Sequence, residues 1–353
     1  MRPLLVFFFS FLIADASGQV VLNADGPGNT YELITSVLAP GYNPIEVPDC
    51  NHNEFGEHID EFFDDELSTN VFRFHIHVTP DDDRCINFDR QRNEIKSYDK
   101  SPDNLLGVED EKVVYKWKFK LDSGFQSSPN FTHLHQLKSV GGSLASMPMY
   151  TLTTRKGNPD RLELRYAETN SQVTLARTDL APFIDVWLEV TETITYGIDG
   201  TYELMIKSVR DQETLFTYSN NSIVNWREGA AFVRPKWGIY RSLTNDQDLR
   251  DEEVLYANFS IEEIGVVSTK TSENNKYKEL IFSNLVENRL YINNLPSKIS
   301  SIQIFSLDGK LVMDESIDST TEVNLNVSSV AKGVHILILR GEQINQAKLI
   351  MIN

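Results

Sequence analysis

Basic charge, cysteine and long apolar runs are all scarce in this sequence. Lys and Arg number 33 against 51 Asp and Glu, a formal net charge of -18. That leaves no broad basic footprint of the kind a nucleic-acid partner needs. A site for a polyanion would have to be a local basic patch in an acidic shell; solubility is the plainer reading of the surplus. There are two cysteines, Cys50 and Cys85. Even with His52 and His58 nearby, their spacing fits no common zinc pattern, so no metal is assigned. In an exported chain such a pair reads as a disulfide, tying the N-terminal loop segment to the early sheet. Past the N-terminus no segment is long and apolar enough for a membrane helix. Sustained helical periodicity is missing too.

What is present begins with an export signal. Arg2 supplies a positive start, Leu4 to Ile13 a short apolar run, and Ala14, Ala16 and Gly18 small residues suited to cleavage near Gln19. Residues 1–18 are read as a signal peptide. The remaining length suits one large β domain, since such domains often reach roughly 200–250 residues, plus a small one. Residues 19–70 look loop-rich, with Pro40, Gly41, Pro44 and Pro48. From Val71 the pattern alternates: Phe72, Phe74, Ile76 and Val78 against Arg73, His75 and His77. Val113, Tyr115, Trp117, Phe119 and Leu121 alternate with Lys116, Lys118 and Lys120. This period of two marks half-buried strands. Similar runs recur at 131–138, 149–154, 161–167, 186–195, 201–209, 214–218, 231–241 and 254–264, with turn signals such as Lys156-Gly157-Asn158-Pro159 between them. The expected fold is all-β: an antiparallel β-sandwich jelly roll, concanavalin-like, over 19–267.

Residues 268–276 are polar and read as a linker. After them, 277–353 carry a second β pattern, with Ile302, Ile304 and Phe305 before the turn at Asp308-Gly309 and Leu311-Val312 after it. Asn288-Arg289-Leu290-Tyr291-Ile292, the segment from Ile304 to Lys310, Ala331-Lys332-Gly333-Val334-His335 and the closing Lys348-Leu349-Ile350 together resemble the C-terminal sorting domain of the type IX secretion system of Bacteroidetes. That resemblance implies type IX machinery as a partner, passage through the periplasm, and a secreted or cell-surface destination. A small carbohydrate-binding β-sandwich is the alternative.

Three strand segments carry the chemistry-bearing side chains. In Arg90-Gln91-Arg92-Asn93-Glu94-Ile95-Lys96, Arg92, Glu94 and Lys96 share a face. In Phe131-Thr132-His133-Leu134-His135-Gln136-Leu137-Lys138, strict alternation puts His133 and His135 on one face. In Arg234-Pro235-Lys236-Trp237-Gly238-Ile239-Tyr240-Arg241, Lys236, Gly238 and Tyr240 share a face, and Gly238 would leave room for a ligand. Singly, each has a dull explanation: solvated charge, a structural histidine, a packed tyrosine. Together they offer cations, two imidazoles and a phenol, which is what β-elimination on a uronic acid needs. Cations or amides neutralise the carboxylate and stabilise the enolate-like transition state. A base takes the C5 proton and an acid protonates O4. Histidine suits the base role. Tyrosine serves as neutral acid, or as a base if Arg92 and Lys236 lower its pKa.

These segments resemble the three motifs of jelly-roll alginate lyases and their glucuronan- and ulvan-cleaving relatives. Arg92-Asn93-Glu94-Ile95-Lys96 matches the first motif, His133-Leu134-His135 the second and Lys236-Trp237-Gly238-Ile239-Tyr240 the third, in the family's order. Arg161-Leu162-Glu163-Leu164-Arg165 also fits the first motif but follows the histidines. The resemblance implies Arg92 as carboxylate binder, His135 as base, Tyr240 as general acid and Lys236 as subsite cation. His133 stands where the family has glutamine, so a protonated His133, Gln136 or Lys138 takes over carboxylate neutralisation. Arg241-Ser242 replaces Asn-Gln after the tyrosine. These departures point away from alginate, with ulvan first and glucuronan next. Arg234, Arg241, Glu94 and Lys96 join the expected substrate-binding set, with His75 and His77 as second-tier members of the same cleft.

No cofactor is implied beyond a structural calcium at Asp81-Asp82-Asp83, for which an acidic turn after Pro80 is the plainer reading. Glu57-His58-Ile59-Asp60-Glu61 faintly resembles glucanase acid pairs but sits in the loop-rich region. The expected partners are an anionic polysaccharide and the secretion machinery, and a monomer is expected. Two other function classes remain in play. A binding module would show an aromatic platform of Trp117, Trp237 or Tyr150; a glycoside hydrolase would show two facing carboxylates.

Overall fold

Leu188, Val190, Glu192 and Ile194 point inward along one strand while Glu189, Thr191, Thr193 and Thr195 point outward, and this alternation repeats through most of the chain. The computed structural model describes residues 19–264, 281–282, 285–286, 288–293, 299–306, 309–317, 322–341 and 345–352. The expected signal peptide (1–18), the linker (268–276) and Leu307-Asp308 of the tail hairpin lie outside the described residues. The chain divides into two units, Met1–Val266 and Val267–Asn353.

The described strands of the first unit are β1 (Val20–Leu22), β2 (Ile45–Glu46), β3 (Ile59–Asp64), β4 (Thr69–Ile76), β5 (Arg90–Lys96), β6 (Lys112–Leu121), β7 (Thr132–Gly141), β8 (Tyr150–Arg155), β9 (Arg161–Tyr166), β10 (Val173–Asp179), β11 (Leu188–Thr195), β12 (Gly200–Ser208), β13 (Thr214–Ile223), β14 (Ala230–Ser242) and β15 (Glu252–Ile264). Among the described residues they form two antiparallel sheets. One has eight strands in the order β13-β12-β11-β6-β15-β4-β3, with β1 also on β15; the other has seven, β10-β9-β8-β7-β14-β5-β2. The sheets pack face to face as a jelly-roll sandwich. Trp117 of β6 meets Trp237 of β14 across the core, ring centres 6.0 Å apart. Both are fully buried beside Phe72, Phe74, Tyr115, Ile239 and Val254. Each such side chain contributes about 1.5–3 kcal/mol by leaving water.

Two features of the first fifty residues depart from the loop-rich expectation. An α-helix, α1 (Thr30–Leu38), buries Thr30, Ile34 and Leu38, the i, i+4, i+8 stripe of a single helical face. It is only nine residues long, too short for the pattern to stand out. The short strands β1 and β2 add to the two sheets, β2 pairing Ile45 with Ile95 and Glu46 with Glu94. The exposed edge strand β10 was not foreseen either, because only one side of it is covered.

In the second unit, the described strands make a three-stranded and a five-stranded sheet. Leu290, Ile292, Ile302, Ile304, Leu337 and Leu339 form its core. The segment Ile299–Ser306 pairs on one side with Leu311–Ser316 through the Gly309 turn and on the other with Gly333–Gly341.

Candidate active site

The seven-stranded sheet has an apolar face in the core and a polar face away from it. Register places the site. On β14, Tyr240 pairs with Arg92 of β5, Gly238 with Glu94 and Lys236 with Lys96. On its other side Tyr240 pairs with His133 of β7, Lys236 with Gln136 and Arg234 with Lys138. Directly paired residues project to the same side, so these residues share the polar face.

Tyr240, His133 and Arg92 meet there. The Arg92 guanidinium lies over the Tyr240 ring, 3.7 Å from its centre. Arg90 Nη1 donates to the Tyr240 hydroxyl at 3.0 Å. The His133 ring is 5.8 Å from the Tyr240 ring, and Phe131 stacks on His133 at 4.8 Å while standing 5.1 Å from Tyr240. Burial raises the Tyr240 pKa against the pull of Arg92 and Arg90, so the phenol stays protonated. Burial pushes His133 down to about 3, leaving it neutral at pH 7. Desolvation therefore weighs against a protonated His133 as carboxylate neutraliser in the free site. Its Nδ1 is buried without a partner among the described residues.

Beside this trio lies an ion network. Glu94 takes Lys236 at 2.8 Å, together with Arg92 and Gln136. Glu46 takes Lys96 at 2.7 Å and Arg84 at 2.8 Å, together with Lys236. Both carboxylates are held below the usual range: burial raises them, but the adjoining cations outweigh it. Arg234 stacks on Tyr98, 4.7 Å from the ring centre. Lys138, like Arg234, has no carboxylate within salt-bridge distance among the described residues, whereas Arg92, Lys96 and Lys236 each do. Burial, then Lys236, Arg234 and Arg92, push Lys138 down to about 8. Further along the face, Arg155 and Arg165 flank Glu163 at 3.3 and 3.1 Å. The Arg161–Arg165 segment, the other match to the first motif, thus lies in the same sheet.

Four expectations need correction. His135 is on the opposite face from His133. The pairing of β7 with β14 slips between Trp237 and Tyr240, and that of β7 with β8 slips between His133 and His135. This β-bulge breaks the two-residue period. His135 Nε2 sits 2.8 Å from Glu192 Oε2 in the core, with its ring 4.4 Å from Trp117. The base role assigned to His135 falls with it. Arg241 also turns inward, fully buried, donating to Gln91 Oε1 at 2.7 Å and the Arg250 carbonyl at 2.8 Å. His75 and His77 lie on or just beyond β4 in the other sheet, on the side away from the core. Finally, Gly238 is set by backbone rather than ligand room: its φ is +140°, and a Cβ would sit 2.0 Å from the Asn93 carbonyl.

The bulge has its own support. The Tyr256 hydroxyl, reaching from β15 across the core, lies 2.8 Å from both the Leu134 and Gly238 carbonyls. Sequence reasoning missed Tyr256, and also Arg90, Phe131 and Glu46 as members of the site. Only cross-strand register connects them to it.

The predicted disulfide is present between Cys50 and Cys85. The three acidic residues read as an acidic turn, with calcium as the alternative, point to different partners. Asp81 goes to histidines, Asp82 accepts from Cys85 N–H at 2.7 Å, and Asp83 holds Arg92 and Arg84, each at 2.8 Å. Trp117, Trp237 and Tyr150 are core residues rather than a platform.

Residues 280–353 match the family model described as "Secretion system C-terminal sorting domain". The tail is a sorting domain. The sorting domain makes this a secreted or cell-surface protein, served by the matching secretion machinery. No helix among the described residues is long and apolar enough to cross a membrane. Among curated proteins, none matches the chain in sequence. Among solved structures, the chain is similar to a marine PL-14 alginate lyase from Aplysia kurodai, with 12% identity, a TM-score of 0.49 and coverage of 69% of this chain and 98% of that one. It is also similar to an endo-beta-1,4-glucuronan lyase from the fungus Trichoderma reesei, with 13% identity, a TM-score of 0.41 and coverage of 58% and 86%. A third is an alginate lyase from Klebsiella pneumoniae, with 8% identity, a TM-score of 0.43 and coverage of 62% and 94%.

Proposed function

We propose that the first unit is a polysaccharide lyase that cleaves a uronic-acid-containing anionic polymer by β-elimination. The observation that carries this reading is the meeting of Tyr240, His133 and Arg92 on one polar sheet face. Neutral His133 takes the C5 proton. The electron pair moves toward the carboxylate, and the enolate-like charge is stabilised by Lys138 and the Arg92 edge of the ion network. The C4–O4 bond breaks as Tyr240 gives its proton to O4, leaving a C4–C5 double bond. Imidazolium, unfavourable in the buried free site, forms only when the adjacent enolate supplies a counter-charge. Ulvan is the favoured substrate and glucuronan the next. An unpaired cation such as Lys138 beside Arg234 suits a polymer carrying sulfate as well as carboxylate.

Two observations weigh against the other classes. A retaining or inverting hydrolase needs one protonated carboxyl, yet Glu46 and Glu94 are both held ionised by cations. A sugar-binding platform needs exposed aromatic faces, and the three expected ones are buried. The test is to mix the secreted protein with ulvan, glucuronan and alginate and follow the ultraviolet absorbance of the new conjugated double bond. A rise on ulvan or glucuronan is expected. New reducing ends without that absorbance would make the protein a hydrolase, and binding without either product would make it a lectin-like module.

A further inference from the structure

Three histidines from two loops converge on one buried carboxylate. His52 Nδ1 lies 2.8 Å and His58 Nε2 3.2 Å from Asp81 Oδ1, and His77 Nδ1 lies 3.1 Å from Asp81 Oδ2. The four ligand-type atoms are all within 4.8 Å of one another. We propose that His52, His58, His77 and Asp81 bind a divalent transition metal, with zinc the best match.

The hydrogen-bond inventory of His58 argues for it. Its two ring nitrogens each face a carboxylate: Nδ1 is 2.7 Å from Asp49 Oδ1, and Nε2 faces Asp81. A neutral imidazole has one N–H. With Nδ1 on Asp49, His58 Nε2 and Asp81 Oδ1 are two ligand-type atoms aimed at each other where neither side chain is exposed, a gap that either an Nε2 proton or a metal ion fills. A metal ion between them uses both the Nε2 lone pair and the carboxylate. Asp49 then plays the outer carboxylate that fixes the tautomer of a ligating histidine. The Asp81 carboxylate is oriented independently by the His77 backbone N–H at 2.6 Å.

The donor set chooses the metal. Three imidazoles and one carboxylate suit zinc, whereas calcium takes six to eight oxygens. Zinc–ligand bonds of about 2.0–2.1 Å in a tetrahedron set ligand atoms about 3.3–3.4 Å apart, so the His52–Asp81 distance of 2.8 Å must open while the wider separations, all within 4.8 Å, close by ring rotation. The loop bearing His52 and His58 is fastened next to Asp81 by the Cys50–Cys85 disulfide and by Asn51, whose amide donates to the Pro80 carbonyl. Phe55 covers the cluster, its ring 4.7 Å from His58 and 4.4 Å from His77. The spacing within residues 50–58 hid the site, because its other half is contributed by His77 and Asp81 through the fold.

The site is structural, and it is tied to the polar face. Gln91 donates to the Asp81 carbonyl at 3.0 Å, and Asp83, two residues on, grips Arg92 Nε at 2.8 Å. A metal at Asp81 would therefore fix the turn that holds Arg92 over Tyr240. The binding claim itself does not depend on lyase activity.

The test uses the full mature protein without a histidine tag. Elemental analysis after exposure to zinc and gel filtration is expected to find about one zinc per chain. Cobalt added to chelator-treated protein should give the visible absorption of a tetrahedral site. The unfolding midpoint should climb with zinc concentration. His52→Ala and His77→Ala should lose the metal, while His75→Ala, two residues before His77 and paired with Asp60 instead, should keep it. Wild-type protein that takes up no stoichiometric zinc and gives no cobalt spectrum would overturn the proposal, since it would mean that the cluster is held by protons alone. So would folded His52→Ala and His77→Ala variants with undiminished zinc.

Discussion

His133 and His135 stand two residues apart on one strand and face opposite sides of the sheet, His133 toward Tyr240 and His135 toward Glu192. The bulge between them divides chemistry from stability. His133→Ala is expected to lower kcat/KM by roughly 10²–10⁴-fold, the usual worth of a positioned base, with an unfolding midpoint close to wild type. His135→Ala is expected to do the reverse. Glu192 keeps the Tyr202 hydroxyl but loses His135 in the core, at a cost of about 1–3 kcal/mol in chemical denaturation, with turnover preserved in the folded fraction. Loss of activity at full stability in His135→Ala would return that residue to the reaction.

Tyr240→Phe removes only a hydroxyl, and the ring keeps its place under Arg92. Turnover should fall by at least about 10²-fold while circular dichroism stays unchanged. Near-wild-type rates would take Tyr240 out of the mechanism.

Lys138 gives a pH dependence with a definite sign. Its pKa is pushed down to about 8, chiefly by burial. The charge is present below that value and lost above it, so KM for a polyanion should rise as pH passes about 8. Lys138→Met should show the high KM at every pH and no such limb. Stability moves the other way. The unfolded chain holds more protons than the folded one between about 8 and the ordinary lysine range, so this group's contribution to stability increases as pH rises there.

Tyr256→Phe tests whether the brace under the bulge positions His133. The variant is expected to lose about 1–3 kcal/mol of stability. It should also lower kcat with little change in KM, because Tyr256 braces the polar face through the Leu134 and Gly238 carbonyls. A pure stability loss with unaltered kcat would reduce it to a packing residue.

Most of the sandwich was legible because its strands obey a period of two. Val113 to Leu121 and Leu188 to Thr195 alternate with hardly a break. The same rule failed where the backbone departs from it. At His133-Leu134-His135 an extra residue is absorbed by the bulge, so a reading by parity alone put both histidines on one face. His75 and His77 misled for another reason: alternation fixes a side of a strand but not which sheet the strand joins. Arg90 and Glu46 are part of the site only through register, Arg90 beside Tyr240 and Glu46 from a two-residue strand with no pattern to read. Arg92, Glu94, Lys96, Lys236 and Tyr240 were placed correctly on one face because β5 and β14 run without slippage against each other.

The Cys50–Cys85 bridge also has a consequence for timing. The two halves it joins are 35 residues apart in the chain, and closing such a loop restrains the unfolded state by about 4 kcal/mol. Thiols stay reduced in the cytoplasm and pair beyond it. Before crossing the inner membrane the polypeptide therefore lacks this restraint and is easier to keep extended for threading. Afterwards, oxidation locks the loops, so maturation is coupled to arrival.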